Sequence, residues 1–575
     1  MSVRNQPLLR ANPIRARVWA LLVWLSTGLT LAVALFGLLP MPGGVPLHGS
    51  GLGGTVRTLP DMLAILLGLA PAPTSTGFDW LGLDLATLLV TARYLAVLCL
   101  PLGLGLATHR HVLSRQPRRL NANFIAGATY AEKRDAPALA TNLLAADMRA
   151  TGAGIALCPD LRLPRNREIQ SILVVGRPRY GKSTALQFML DGILARPRDK
   201  LVVFDSKGDV AAGWPSADVI FLAPHDTRSW AWAVGQDVLG ETGARELAAA
   251  LISVSDREPN WTLGGQEILV AAIRKLQAEH GTTWSWADLD EVLDLPDAAL
   301  RQVALDHHRP ALRYLTLDPE TECFDRTAAS YISTAMAPIN RLVRPLAQAW
   351  SEIGPQHQVS LRSWLLDEAP RRRTIILQAA SHLPSISAAW ITAALEMMAR
   401  FCVGPALADS TERRLWYILD EFSTVPKISA LPALLAQGPS KGVCVLLACQ
   451  NLELVEENYG NTLTQAIIQN MDIQVLFRLN AGPTAQYLTQ IGIQKTDLRR
   501  YGQPAVQSES SSDRDKPETV CLVTPHDLAT LPRGEAFVTV EGSILRLRWP
   551  KSNWIEHRPG MIQAPWVTAQ VTSEL

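Results

Sequence analysis

Ser171-Ile172-Leu173-Val174-Val175-Gly176-Arg177-Pro178-Arg179-Tyr180-Gly181-Lys182-Ser183-Thr184 decides the fold. The apolar run Ile172–Val175 reads as a buried strand, and Leu186, Met189, Leu190 and Ile193 recur at helical spacing after Ser183. Between them Gly176 and Gly181 bracket a turn whose backbone N–H groups can converge on phosphate oxygens. Gly176, Arg177, Pro178, Arg179, Tyr180, Gly181, Lys182, Ser183 and Thr184 are therefore the expected phosphate-binding set. Lys182 is expected to reach the β- and γ-phosphates and the Ser183 hydroxyl to hold Mg2+, with the helix N-terminus favouring negative charge. The ligand implied is a nucleoside triphosphate, with ATP and Mg2+ as the expected cofactors.

Working outward, short apolar strands recur at Leu201–Phe204, Thr374–Leu377, Leu415–Leu419, Val443–Ala448, Ile473–Phe477 and Ala536–Val540, with helical stretches between most of them. That alternation predicts an α/β fold, a mostly parallel sheet covered on both faces. From Arg245 to about Trp350 the pattern is helical, with periodic stretches at 263–278, 285–293, 297–314 and 327–347. An all-α insertion therefore interrupts one nucleotide-binding domain. Residues 503–518, polar and serine-rich, read as a flexible loop.

The strand Leu415–Leu419 runs into Asp420 and Glu421. In a phosphate-loop enzyme an acid at this place holds Mg2+ and its neighbour polarises the attacking water, so Asp420 is the expected metal ligand and Glu421 the expected general base. A helix cap would account for one of the two acids. Gln450, just beyond Val443–Ala448, is the expected γ-phosphate sensor, with a plain turn residue as the alternative. Asp205 and Lys207 also end a strand, where Asp205 equally suits a helix cap. Trp230, Trp232, Trp261, Trp284 and Trp286 offer surfaces for stacking single-stranded bases, though packing of the helical region's own core is the preferred reading. Arg371-Arg372-Arg373 reads as a solvated flank, or as a channel-facing run in a ring.

Composition bounds the rest. The 575 residues carry a formal net charge of +1, so no global basic field advertises nucleic acid. Seven cysteines without C-x-x-C spacing suit a reducing compartment and argue against a zinc site or a disulfide framework. The hydrophobic content of 48% is concentrated near the N-terminus. Val18–Leu39 has no charged residue and exceeds the ~20 apolar residues a spanning helix needs. Arg4, Arg10, Arg15 and Arg17 precede it, and His109, Arg110, His111, Arg115, Arg118 and Arg119 follow a second apolar run, about Leu85–Ala107. Both flanks predict cytoplasmic termini around a short outer loop.

These features together resemble the coupling proteins of conjugative type IV secretion systems, the TraG/TraD-like ATPases. The resemblance rests on two N-terminal spans, the phosphate loop, Val202-Val-Phe-Asp-Ser-Lys-Gly-Asp209, Leu419-Asp-Glu-Phe422, Ala448-Cys-Gln450, Val475-Leu-Phe-Arg478 with Thr484-Ala485, and the closing Leu522-Val-Thr-Pro-His-Asp-Leu528 and Leu531-Pro-Arg-Gly-Glu-Ala536. It implies a RecA-like motor, hexameric at the bacterial inner membrane, with ATP between subunits. The ring would recruit a relaxase–DNA complex or another secretion substrate, contact single- or double-stranded DNA, and feed the inner-membrane components of the channel.

The expected layout is a membrane anchor over 1–108, a connector and first part of the RecA-like domain over 109–249, and an all-α insertion for substrate recognition over 250–345. The second part of the RecA-like domain follows over 346–550 and a tail over 551–575. One departure stands out. Many members carry an arginine, a candidate trans-acting finger, where this chain has Gly438-Pro439-Ser440-Lys441-Gly442. Lys441 is the nearest substitute, without arginine's bidentate fork. Two other readings share the motif set: a DNA translocase of the chromosome-segregation kind, and a membrane receptor that uses nucleotide only as an assembly switch.

Overall fold

The computed structural model describes residues 21–28, 45–46, 55–56, 99–108 and 122–567, leaving out 217, 253–258, 319, 322, 426, 490–494, 501–516 and 552–554 within the last range. Two compact units divide the chain, 1–125 with 498–518, and 126–497 with 519–575.

The second unit is built on a ten-stranded sheet. In chain order its strands are β1 (Thr129–Glu132), β2 (Ile172–Val175), β3 (Lys200–Asp205), β4 (Ile220–Leu222), β5 (Thr374–Gln378), β6 (Leu415–Leu419), β7 (Val443–Cys449), β8 (Ile473–Leu476), β9 (Glu535–Val540) and β10 (Ser543–Arg548). The spatial order is β1-β10-β9-β8-β2-β7-β6-β3-β5-β4. All pairings are parallel except β8 with β9 and β9 with β10.

The central strands are apolar at every position because both faces are covered. Alternate side chains feed two cores. Leu173, Val175, Tyr417, Leu419, Val445 and Leu447 pack with helix Pro384–Val403 and the helical region. Ile172, Val174, Trp416, Ile418, Cys444 and Leu446 pack with helix Lys182–Leu194 on the other face. Thr129–Glu132, Ile220–Leu222 and Ser543–Arg548 are strands the sequence pattern did not mark; each is short or lies towards a sheet edge.

Between the paired segments Ala231–Trp232 and Gln358–Val359 the chain is helical, with α-helices Gly240–Leu251, Pro259–His280, Trp286–Leu293, Asp297–His307 and Arg326–Trp350. This extends the helical stretch beyond the expected 250–345 at both ends. The periodic stretch 297–314 is two elements, because Pro310 stands at the start of a separate 3-10 turn, Arg309–Tyr314. Trp232, Trp284 and Trp286 are buried in the core. Trp261 packs against Tyr331, and Trp230 lies against His357 and under the Arg372 guanidinium. Within the basic run Arg373 donates to Leu194 O (2.6 Å) and Asp199 O (3.3 Å), and Arg372 pairs with Asp218, while Arg371 is exposed.

The last described segment straps back across the sheet's β4–β5 end. His557 N donates to Ala212 O, Ile562 N to Asp226 Oδ2, Ala564 N to His225 O and Trp566 Nε1 to Pro224 O. Gln378 Nε2 donates to Gly560 O (2.8 Å), and a Cβ on Gly560 would lie 2.9 Å from Gly208 O.

In the first unit, residues 21–28 and Cys99–Thr108 are helical, and a Cβ on Gly28 would meet the Pro101 ring at 3.7 Å. The remainder of the expected spans 18–39 and 85–107 lies outside the described residues, as does nearly all of the loop expected at 503–518. Among the described residues the one helix long and apolar enough to cross a membrane is Pro384–Val403, and it is mostly buried in the second unit's core. The described residues thus do not supply two membrane helices.

Candidate active site

The register of three neighbouring parallel strands assembles the site. Val175 of β2 pairs with Cys449 of β7, and Leu447 of β7 pairs with Leu419 of β6, so the phosphate loop, Gln450 and Asp420-Glu421 leave the sheet at one edge. Ligand crevices of open α/β sheets form outside such carboxyl ends.

The loop itself needs its glycines. A Cβ on Gly176 would lie 2.6 Å from Phe477 Cβ, and one on Gly181, at φ +123°, would lie 2.8 Å from the Phe477 ring. Gly176 N donates to Cys449 O and Arg177 N to Arg478 O, pinning the loop's first turn to β7 and to the end of β8. Arg179 sits at φ +70°, a left-handed conformation that costs a non-glycine residue about 1 kcal/mol or more. The Arg177 and Arg478 guanidinium groups both lie over the Tyr180 ring, at 5.9 and 5.0 Å. Helix Lys182–Leu194 starts directly after Gly181, and its first N–H groups face the crevice.

Lys182 Nζ donates to Glu421 Oε2 at 2.9 Å and lies 3.6 Å from Asp420 Oδ1. Gln450 Nε2 donates to the same Glu421 oxygen at 2.7 Å, and Ser423 Oγ donates to Oε1 at 2.8 Å. Lys182, Glu421 and Gln450, expected from separate motifs, are therefore in one hydrogen-bonded group, with Asp420 at ion-pair distance from Lys182. Glu421 is held at φ +61°, with Thr424 N and Oγ1 both donating to its carbonyl. Strain of this kind persists where the surroundings over-determine it.

The two acids differ in electrostatics. Burial alone would raise the Glu421 carboxyl, but the Lys182 charge and the bonds from Lys182, Gln450 and Ser423 outweigh it and hold it below its ordinary value. Burial pushes the Asp420 carboxyl up, with Lys182 and Lys207 pulling it down and Glu421 adding to the rise. Asp420 Oδ1 is buried without a hydrogen-bond partner. A carboxylate oxygen without a hydrogen bond, lining the same cavity as Ser183, suits Mg2+, which takes one or two protein oxygens and completes its shell with water and phosphate.

Lys182, Asp420 and Gln450 border a cavity of about 950 Å3, and Glu421 borders an adjoining one of about 320 Å3. Arg179, Lys182, Ser183 and Thr184 form one wall and Lys207, Asp209, Asp420 and Gln450 another. The third comes from Arg533, Gly534, Arg548, Trp549 and Lys551, near Pro159 and Asp160. Sequence reasoning did not mark Arg533, Arg548 or Lys551 as site residues. The one available signal was their place in or near the closing segment Leu531–Ala536. Two alternatives resolve. Asp205 is a cap, accepting from Gly208 N (2.8 Å) and Ala211 N (2.7 Å). Lys441 is committed elsewhere: its Nζ donates to Gly404 O and Leu407 O, both at 2.7 Å, beyond the end of helix Pro384–Val403.

Comparison with known proteins bears on this arrangement. Residues 156–549 match the family model of the type IV secretion-system coupling protein DNA-binding domain. The chain is 24% identical over 449 residues to the coupling protein TraD of Escherichia coli (strain K12), which covers 75% of this chain and 58% of that protein. It thus spans less than two thirds of that relative. Among solved structures the fold is similar to the unbound bacterial conjugative coupling protein TrwBdeltaN70, with a TM-score of 0.64 and 18% identity over 77% of this chain and 96% of that one. It is similar also to the plasmid coupling protein TrwB in complex with ADP and Mg2+, with a TM-score of 0.63 and 18% identity over 77% and 98%.

Proposed function

This chain belongs to the family of type IV secretion-system coupling proteins, and from that premise we propose that it is a Mg2+-dependent ATPase driving DNA, or a DNA–protein complex, into a secretion channel. The observation carrying the proposal is the meeting of Lys182, Asp420 and Gln450 on a cation-lined cavity behind a glycine-bounded loop, with Glu421 bonded to Lys182 and Gln450 at its border.

The roles follow from the bonds. Lys182 has three N–H donors and one hydrogen-bonded acceptor, Glu421, so it retains donors for a phosphate oxygen. Loop and helix N–H groups bind the remaining phosphate oxygens. Ser183 and Asp420 would hold Mg2+, which when bound neutralises charge on the β- and γ-phosphates. Glu421, kept ionised by its neighbours, accepts a proton from the attacking water. Ser423 fixes the orientation of its Oε1 edge, and Gln450 ties the carboxylate to the end of β7.

We further propose a RecA-like domain split by an all-α insertion for substrate recognition, a two-span inner-membrane anchor with cytoplasmic termini, and hexameric assembly. Relaxase–DNA substrate and inner-membrane channel components are the proposed partners. TrwB, similar in fold, binds ADP and Mg2+, which supports the nucleotide assignment.

The test is ATP hydrolysis by the full-length protein in detergent, with and without single-stranded DNA. DNA-stimulated turnover is expected, falling at least about 100-fold in Lys182→Ala and Glu421→Gln. If Glu421→Gln binds ATP without hydrolysing it and yet supports normal substrate export, the receptor-switch reading replaces the motor.

A further inference from the structure

The family resemblance leaves one cation without an owner. Pro439 stands where an arginine is expected, and the Lys441 ammonium is spent on Gly404 O and Leu407 O. Resting on the nucleotide reading of the site, we propose that Lys207 is the second phosphate cation, supplied by the same subunit. It contacts the terminal phosphate of a bound nucleoside triphosphate and makes the site prefer triphosphate over diphosphate.

Three observations carry this. First, Lys207 stands at the acidic end of the crevice. It lines the large cavity with Lys182, Asp420 and Gln450, and also the adjoining cavity of about 320 Å3 bordered by Glu421. Arg533, Arg548 and Lys551 border only the large one, with Pro159 and Asp160. Second, among the described residues the Lys207 ammonium makes no hydrogen bond or ion pair, although its charge is felt at the Asp420 carboxyl. Third, its backbone is fixed while its side chain is not. Asp205 Oδ1 accepts from Lys207 N (3.2 Å) and Gly208 N (2.8 Å), Gly208 turns the chain at φ +83°, and Gly560 packs against that turn. A rigid turn carrying a rotatable point charge suits a phosphate whose presence varies through a hydrolytic cycle.

The bland alternative is a solvated lysine at the cavity mouth, and binding separates the two. Full-length protein in detergent is titrated with ADP and with the non-hydrolysable analogue ADPNP, each with Mg2+, for wild type, Lys207→Ala, Lys207→Arg and Lys441→Ala. In Lys207→Ala, ADPNP affinity is expected to fall on the order of tenfold, as for one lost charge-assisted hydrogen bond, with ADP affinity changed less than about twofold. Lys207→Arg should recover most of the loss, and Lys441→Ala should alter neither. Equal weakening of both nucleotides, no weakening of either, or a selective loss in Lys441→Ala instead would overturn the assignment. A wild-type chain that binds neither nucleotide would overturn the reading of the whole site along with it.

Discussion

At the scale of single residues, the paired acids behave oppositely because their partners differ. Glu421 has Lys182, Gln450 and Ser423 on its oxygens, whereas Asp420 Oδ1 has no hydrogen-bond partner. The Glu421 carboxyl lies below its ordinary 4.5, so its stabilising contribution is present above that pH and is lost as pH falls through the lowered value. Thermal unfolding of wild type and Glu421→Gln should therefore differ at neutral pH, by about 1–3 kcal/mol. The difference should shrink as the solution is acidified below 4.5; a gap that widens instead would contradict the ion pair. Asp420 is present in both variants, so its own titration largely cancels. These residues were legible in the sequence because each follows an apolar strand at a motif position. Ser423 was not, because a serine after an acid carries no signal until the left-handed turn at Glu421 brings its hydroxyl back onto the carboxylate.

At the scale of elements, the glycine-bounded loop takes its shape because β8 comes so close behind it. The Phe477 side chain fills the space a Cβ would need at both Gly176 and Gly181. Gly176→Ala should push the loop off β8, breaking the Arg177 N to Arg478 O bond. Nucleotide affinity is expected to fall more than about tenfold while the fold persists, overpacking of this kind costing roughly 1–3 kcal/mol. Calorimetric titration with ADP checks the first part and far-ultraviolet circular dichroism the second. The strands were read well wherever both faces are covered, because a continuous apolar run is then obligatory. Ser543–Arg548 was missed for the complementary reason: arginines at 546 and 548 break the run. Helix Pro384–Val403 shows the converse hazard, since its composition passes for a membrane span while its side chains fill the sheet's core.

At the scale of the molecule, the crevice is walled by parts far apart in the chain: 159–209, 420–450 and 533–551. The first two were legible from their motifs, whereas the third shows itself only once the antiparallel pair β9–β10 folds back beside β8. The strap beyond it holds the turn that carries Lys207, through the close approach of Gly560 to Gly208. Gly560→Val should lower the Tm, the overlap costing about 1–3 kcal/mol, and weaken ADPNP binding with it. An unchanged Tm would mean the strap is not seated. Biosynthesis is affected too. Because the chain emerges from its N-terminus, the Lys207 turn can gain its contact with Gly560 only after residue 560 has cleared the ribosome, when the earlier segments have long been made. A nascent polypeptide would thus carry the glycine-bounded loop well before the wall at 533–551 and the strap beyond it are there to complete the crevice.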